Sequence, residues 1–199
     1  MKIISVVIII VVISFILFTY MSYAANKKVE RQRYDVVKQE EGFEIRFYPK
    51  ALMASVSTQR NGEERGGNQN FRTLAGYIFG GNKTEKKIAM TAPVHMERNA
   101  TANKMSFVLP SGYAMTDLPD PNDTSIKFHY SDEGYYAALK FGGFAGEDKI
   151  KRKEEELKEL LQKKGYQAIG AFNYLGYNAP WDVVNRENEI IVQIAYTKP

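Results

Sequence analysis

The stretch NFRTLAGYIFGGNKTEKKIAMTAPVHME, Asn70 to Glu97, changes its period half-way along. In its first part Phe71, Leu74, Ala75 and Ile78 recur at i, i+3, i+4 and i+7, which lays one apolar stripe along a helix. The spacing predicts a helix over 68–79, stopped by Gly80-Gly81-Asn82. Beyond Lys87 the apolar residues alternate instead. Ile88, Met90, Ala92, Val94 and Met96 fall on one face of a strand over 87–97, and Ala89, Thr91, Pro93 and His95 on the other. Proline cannot donate to a ladder, so the strand bends or bulges at Pro93.

The same two periods recur on either side of this stretch. Upstream, YDVVKQEEGFEIRFYPKALMASVST reads as strand, turn at Gly42, strand, and after Pro49 a further strand over 51–58. There Phe43, Ile45 and Phe47 alternate with Glu44, Arg46 and Tyr48. Downstream, a strand over 104–109 follows a polar turn. Two more, 125–130 and 135–141, are expected to form a hairpin around SDEG. A second helix is expected over 147–164, with Ile150, Leu157, Leu160 and Leu161 as its buried stripe. Glu147 and Asp148 sit at its positive end, and Gly165 is its natural stop. Strands over 166–177 and 187–197 close the chain. The order strand, strand, helix, strand, strand covers 34–109 and returns over 125–197, a repeat of pattern rather than of sequence. The expected fold is α+β: two ββαββ-type repeats forming a curved antiparallel sheet or open barrel, with two helices packed on it.

The first 25 residues are a different material. Ile3 to Tyr20 carry no charge, a length that suits a transmembrane helix and exceeds the usual core of a signal peptide. Lys2 ahead of that run and the small residues ending at Ala24 equally suit an export signal. The expected organisation is an anchor or signal peptide over 1–25, a polar linker over 26–33 and one domain over 34–199. The chain would then be held on a membrane by one N-terminal helix, or exported. The side of the membrane stays open, because Lys27, Lys28, Arg31 and Arg33 after the run oppose the orientation of a signal sequence.

Composition excludes several chemistries. The 199 residues contain no cysteine, which removes disulfides, thiolate catalysis and cysteine-based metal centres. The formal net charge is +4 with mixed signs and no basic block, so nucleic acid is not an expected partner. There are two histidines, His95 and His129, and no H-E-x-x-H pattern, so no metal site is expected. No nucleophile elbow or phosphate-binding glycine loop occurs, and no catalytic residue is assigned. Met90 is polarizable and suits an adaptable apolar pocket. Trp181 lies in a loop, where it plugs a cleft or lines one. Glu187 and Glu189 are expected to pair with Arg186.

Several stretches, FEIRFYPKALMASV, FRTLAGYIFGGN, KIAMTAPV, FVLP, LKFGGFA and RENEIIV, stand in the order and spacing of the SOUL haem-binding protein family, which the chain resembles from Tyr34 to Tyr196. The resemblance implies a two-repeat α+β domain similar to the effector-binding domains of some bacterial regulators. It implies a binder or carrier, not an enzyme, that takes haem or another tetrapyrrole non-covalently in an apolar cleft beside the first helix, without strong axial ligation. Carried onto this sequence, the binding residues are Phe71, Leu74, Ala75, Ile78, Met90 and Trp181, with Arg72 near the propionates and His95 as a histidine within reach. The charged propionate partners of some members are not reproduced on the first helix or in PWDVVN; Arg65 and Arg72 are the nearest substitutes. Two other functions suit the same cleft: an envelope-associated interaction protein binding a peptide or lipid, and a hydrolase built on this fold.

Overall fold

The computed structural model describes residues 4, 7–15, 17, 29–59, 66–98, 102–179, 182 and 185–197. Its strands are β1 (Glu30–Arg31), β2 (Asp35–Gln39), β3 (Glu44–Tyr48), β4 (Leu52–Gln59), β5 (Thr91–Ala92), β6 (Val94–Arg98), β7 (Ala102–Val108), β8 (Lys127–Tyr130), β9 (Gly134–Gly142), β10 (Gln167–Gly176) and β11 (Glu187–Ala195). The helix read from the opening stretch is α1 (Gly66–Ile78), and the second is α2 (Glu147–Lys164). Glycine chemistry ends both. Gly80 has φ 109°, and a Cβ at Gly81 would lie 2.7 Å from the carbonyl oxygen of Gly76, so no side chain fits there. Gly165 takes the left-handed conformation and closes α2.

Nine strands form one antiparallel sheet in the order β2-β3-β9-β11-β10-β6-β7-β4-β8, and β1 pairs separately with β5. Among the described residues the sheet does not close: β2 and β8 are its edges. Leaving β2 aside, the order is a palindrome of the two repeats. β3, β9, β11 and β10 mirror β8, β4, β7 and β6. The first strand of each repeat has therefore left its own repeat to pair with the other: β3 lies on β9 and β8 lies on β4. This corrects the expected 125–130/135–141 hairpin. β8 and β9 are consecutive but do not pair: β8 lies on β4, and β9 lies between β3 and β11.

Both helices lie on one face of the sheet. α1 packs on β4 and β7, burying Leu74, Tyr77 and Ile78 against Leu52, Ala54, Val56, Met105 and Phe107. α2 packs on β9, β10 and β11, burying Ile150, Leu157 and Leu161 against Ile45, Leu139, Ile190 and Val192. Each such aliphatic side chain contributes roughly 1.5–3 kcal/mol on leaving water. Met96, near the centre of the palindrome, packs against both clusters.

Two further expectations are revised, and the N-terminal span falls partly outside the described residues. The strand expected over 87–97 is two pieces, β5 and β6, separated by Pro93, and the Ala92–Pro93 peptide is cis. The expected linker over 26–33 contains β1, which is bound to the domain through β5 and through the Gln32 amide to the Ala92 carbonyl at 2.8 Å. Of the expected N-terminal span, residues 7–15 are helical with exposed apolar side chains. Among the described residues no helix is long and apolar enough to cross a membrane, and the rest of that span lies outside them.

The other face of the sheet carries a buried ion pair between the exchanged strand and the opposite repeat. Arg46 on β3 donates through Nη1 and Nη2 to both carboxylate oxygens of Glu189 on β11, at 2.9 and 2.8 Å, and neither side chain is exposed. Arg46 also donates to Glu44 and to the Tyr48 hydroxyl, and the Tyr34 ring lies 4.1 Å over its guanidinium. Tyr177 donates to Glu189 at 2.7 Å. Burial pulls the Arg46 pKa down, but the hydrogen bonds and charge of Glu189 more than offset it and hold the guanidinium above its ordinary value. The expected pairing of Glu187 and Glu189 with Arg186 is corrected: Glu187 meets Arg31 at 2.9 Å and Glu189 meets Arg46, while Arg186 donates to the carbonyls of Ala179 and Asp182.

Removing one partner strands a charge without water, so Glu189→Ala is expected to cost about 3–5 kcal/mol in urea unfolding. The double variant Arg46→Met, Glu189→Leu is expected to recover most of that loss, and a double variant as weak as the single one would contradict this account.

Candidate functional site

The two faces of the sheet offer two different environments. On the helix side, Leu74 and Ile78 are core residues, closed to solvent. Phe71, Ala75 and Met90 are half-buried at the edge of the same cluster, and Phe71 meets Phe107 edge-on with ring centroids 5.4 Å apart. Arg72 is exposed on α1. Five of the expected binding residues therefore share the layer between α1 and the sheet, although two of them are covered by the rest. Trp181 and Arg65 lie outside the described residues.

His95 is elsewhere. Val94 and Met96 point to the helices, so alternation sends His95 to the opposite, concave face. There Ile191, Asn173, Glu97 and Lys104 register in a row across β11, β10, β6 and β7. A second row holds Leu175, His95, Ser106 and Ser55 across β10, β6, β7 and β4. Ile191, Asn173, Glu97 and Lys104 of the first row and His95 and Ser106 of the second line a cleft of about 260 Å3, walled by Tyr48, Tyr136 and the β8–β9 connection.

Hydrogen bonds link its polar groups. The Nε2 of His95 bonds Gln32 Oε1 at 2.7 Å, which places the proton on Nε2 and leaves Nδ1 an acceptor. Ser55 and Ser106 share a 2.7 Å hydrogen bond, and Ser55 reaches the Nε2 of His129 at 3.3 Å. The Nδ1 of His129 is buried with no hydrogen-bond partner. Burial, with the nearby Lys104 charge adding to it, pushes the His95 pKa down to about 4. Its imidazole is therefore neutral at ordinary pH. Among the described residues no group of three or more carboxylates and imidazoles could hold a metal ion.

The segment Glu30 to Tyr34 crosses the rim of this cleft as a strap. It is fixed by Gln32 on His95, Arg31 on Glu187 and Tyr34 on Arg46. Sequence reading missed Gln32, Glu97, Lys104, Ser106 and the Arg46–Glu189 pair. Alternation does put Glu97 and His95 on one face, but which strands lie beside them follows from the exchange between repeats, which leaves no local signal.

Relatives of known description agree with this fold. The family model described as SOUL heme-binding protein matches residues 29–193. Heme-binding protein 2 of Homo sapiens is 29% identical over 163 residues, covering 78% of this chain and 80% of that protein. Heme-binding protein 2 of Mus musculus is 27% identical with the same coverage. Among solved structures, the EcmrR C-terminal domain superposes with a TM-score of 0.60 at 10% identity, covering 82% of this chain and 99% of that one. A protein described as a hydrolase from Listeria innocua superposes with a TM-score of 0.57 at 11% identity, covering 79% and 94%. At such identities the structures share the fold alone.

The depressed His95 pKa has a stability consequence. The unfolded ring takes up a proton near its ordinary 6.5 and the folded ring only near 4, so the unfolded state binds more protons between those values. The stability this group contributes is present above about pH 6.5 and is lost as pH falls toward 4. Thermal melts are expected to show Tm falling through that window, and His95→Gln to flatten the fall; an unaltered pH profile in the variant would refute the assignment.

Proposed function

The chain belongs to the SOUL heme-binding protein family, and on that premise we propose that it binds haem or another tetrapyrrole reversibly, as a carrier or sink rather than an enzyme. The observation that carries this reading is the family match over nearly the whole described domain, 29–193. The relatives named Heme-binding protein 2 support it at the family level. Some structural neighbours are described as hydrolases, but this chain shares only their fold.

The residues at the outer edge of α1 fit the group. Phe71, Ala75 and Met90 offer half-buried apolar surface to a macrocycle laid against the helix, and exposed Arg72 stands on the same helix for a propionate. Contact rests on burial at roughly 25 cal/mol per Å2. Haem would supply the redox-active iron. Among the described residues no histidine stands at this edge: His95 lies across the sheet, bound to Gln32, and His129 is bound to Ser55. The concave cleft fits haem poorly, since about 260 Å3 falls short of the ~300–1,000 Å3 of pockets that enclose drug-sized ligands.

The uncharged run from Ile3 to Tyr20 supports a further part of the proposal, that the domain is attached to a membrane by this run or is exported through it. A bound peptide or lipid at the α1 edge is the competing occupant, and it would block haemin without a spectral change of its own.

Titrating the full chain in detergent with haemin is expected to give a saturable Soret change at one equivalent. Phe71→Ala is expected to weaken it about tenfold, or ~1.4 kcal/mol, while His95→Ala leaves the spectrum unchanged. No saturable change would end the haem reading. For the N-terminal run, the full chain is expected to stay in the membrane fraction after carbonate washing if the run is an anchor. A released product beginning near Ala25 would instead identify a cleaved signal.

A further inference from the structure

Glu97 and Lys104 are cross-strand neighbours on β6 and β7, the geometry in which opposite charges on one face of a sheet usually meet. Here they do not: among the described residues neither has an ion-pair partner, and both line the concave cleft. Around them stand uncharged groups with hydrogen-bonding capacity to spare. Asn173 registers with Glu97, Ser106 registers with His95, and His129 has a buried ring nitrogen with no partner. An unpaired cation and an unpaired anion, side by side in a recess, complement a ligand that carries both signs.

We propose that this cleft is a second ligand site, distinct from the α1 edge, and that it takes a small zwitterion of the α-amino-acid class. Lys104 receives the carboxylate, with the Ser106 hydroxyl beside it. Glu97 receives the ammonium, with the Asn173 side-chain carbonyl as a second acceptor. Asp132 also stands in the wall of the cleft. Side chains directly across a strand pair have Cβ atoms about 5 Å apart, which suits two opposite charges joined through a single carbon. The volume points the same way. About 260 Å3 holds an amino acid and excludes a macrocycle. Met53, Ile191 and Tyr136 give its side chain an apolar and aromatic wall. Gln32 on the strap sits over His95 at the rim, so a bound ligand is covered by the segment that leads to the N-terminal run.

The test uses the full chain in detergent and each common L-α-amino acid in turn at about 10 mM, read as thermal stabilisation. One amino acid, or a chemically related few, is expected to raise Tm by several degrees and to give saturable heat in calorimetry. Its N-acetyl and amide derivatives, each lacking one charge, are expected to lose the effect. Glu97→Gln and Lys104→Met are each expected to weaken binding at least tenfold while the haemin titration is unchanged. Both residues are half-exposed on the sheet, and the haemin titration reports whether each variant is folded; should one fail, the other variant and the derivatives decide. The proposal is overturned if no amino acid stabilises the chain, if a singly charged derivative binds as well as its parent, or if haemin competes for the site. Failure of haemin binding alone would leave this cleft untouched, so the two readings fail separately.

Discussion

Two connections of three residues constrain the whole architecture. Residues 49–51 join β3 to β4, and residues 131–133 join β8 to β9. Each reaches at most about 15 Å. In each case the strands joined stand six places apart in the sheet, a distance of roughly 29 Å at about 4.8 Å per strand if the sheet were flat. The sheet must therefore curl until its two ends approach. The curl creates a convex face, which the helices cover, and a concave face, which they cannot enter. Both functional readings follow from that division: the apolar edge of α1 outside and the polar cleft within.

The exchange of strands that produces the short connections also creates the buried charge. Arg46 arrives on the strand that has left its own repeat, and Glu189 waits on the repeat that receives it. Fork-to-carboxylate geometry, with the Tyr177 hydroxyl donating to Glu189 and the Tyr48 hydroxyl accepting from Arg46, satisfies both groups, which is the condition under which such a pair survives burial. Its contribution is better described as specificity than as stability. An unexchanged β3 would leave Arg46 without Glu189, and the cost of that unpaired charge disfavours the alternative pairing. The pair also matters for the cleft. Because Arg46 consumes the Glu189 carboxylate, the charged groups left for a ligand are those farther along the face, Glu97 and Lys104.

Much of the fold was legible because it rests on local periods. The stripes of α1 and α2, the glycine stops, the turn at Gly42 and the alternation that separates Met96 from His95 all involve residues within a few positions of one another. The reading failed where partners are distant. Tyr130 and Tyr135 looked like the arms of a hairpin because a polar turn links them, yet tertiary pairing outweighs proximity here. Glu189 looked like a partner of Arg186 for the same reason. The α1 residues belong to one apolar stripe, in which Leu74 and Ile78 are closed to solvent while Phe71 and Ala75 are half-buried at its edge.

By itself, the sequence determined the class of the fold, the two-repeat pattern, the family, and the absence of thiol chemistry, because each depends on residue identity and short-range spacing. Only the tertiary structure decided that the first strand of each repeat crosses to the other, and that the sheet curls. It also decided that Glu97 and Lys104 stand side by side without pairing. Those outcomes depend on which backbones hydrogen-bond across about 70 to 95 residues of chain, and that choice is made by the summed burial and charge pairing of the whole molecule rather than by any one stretch.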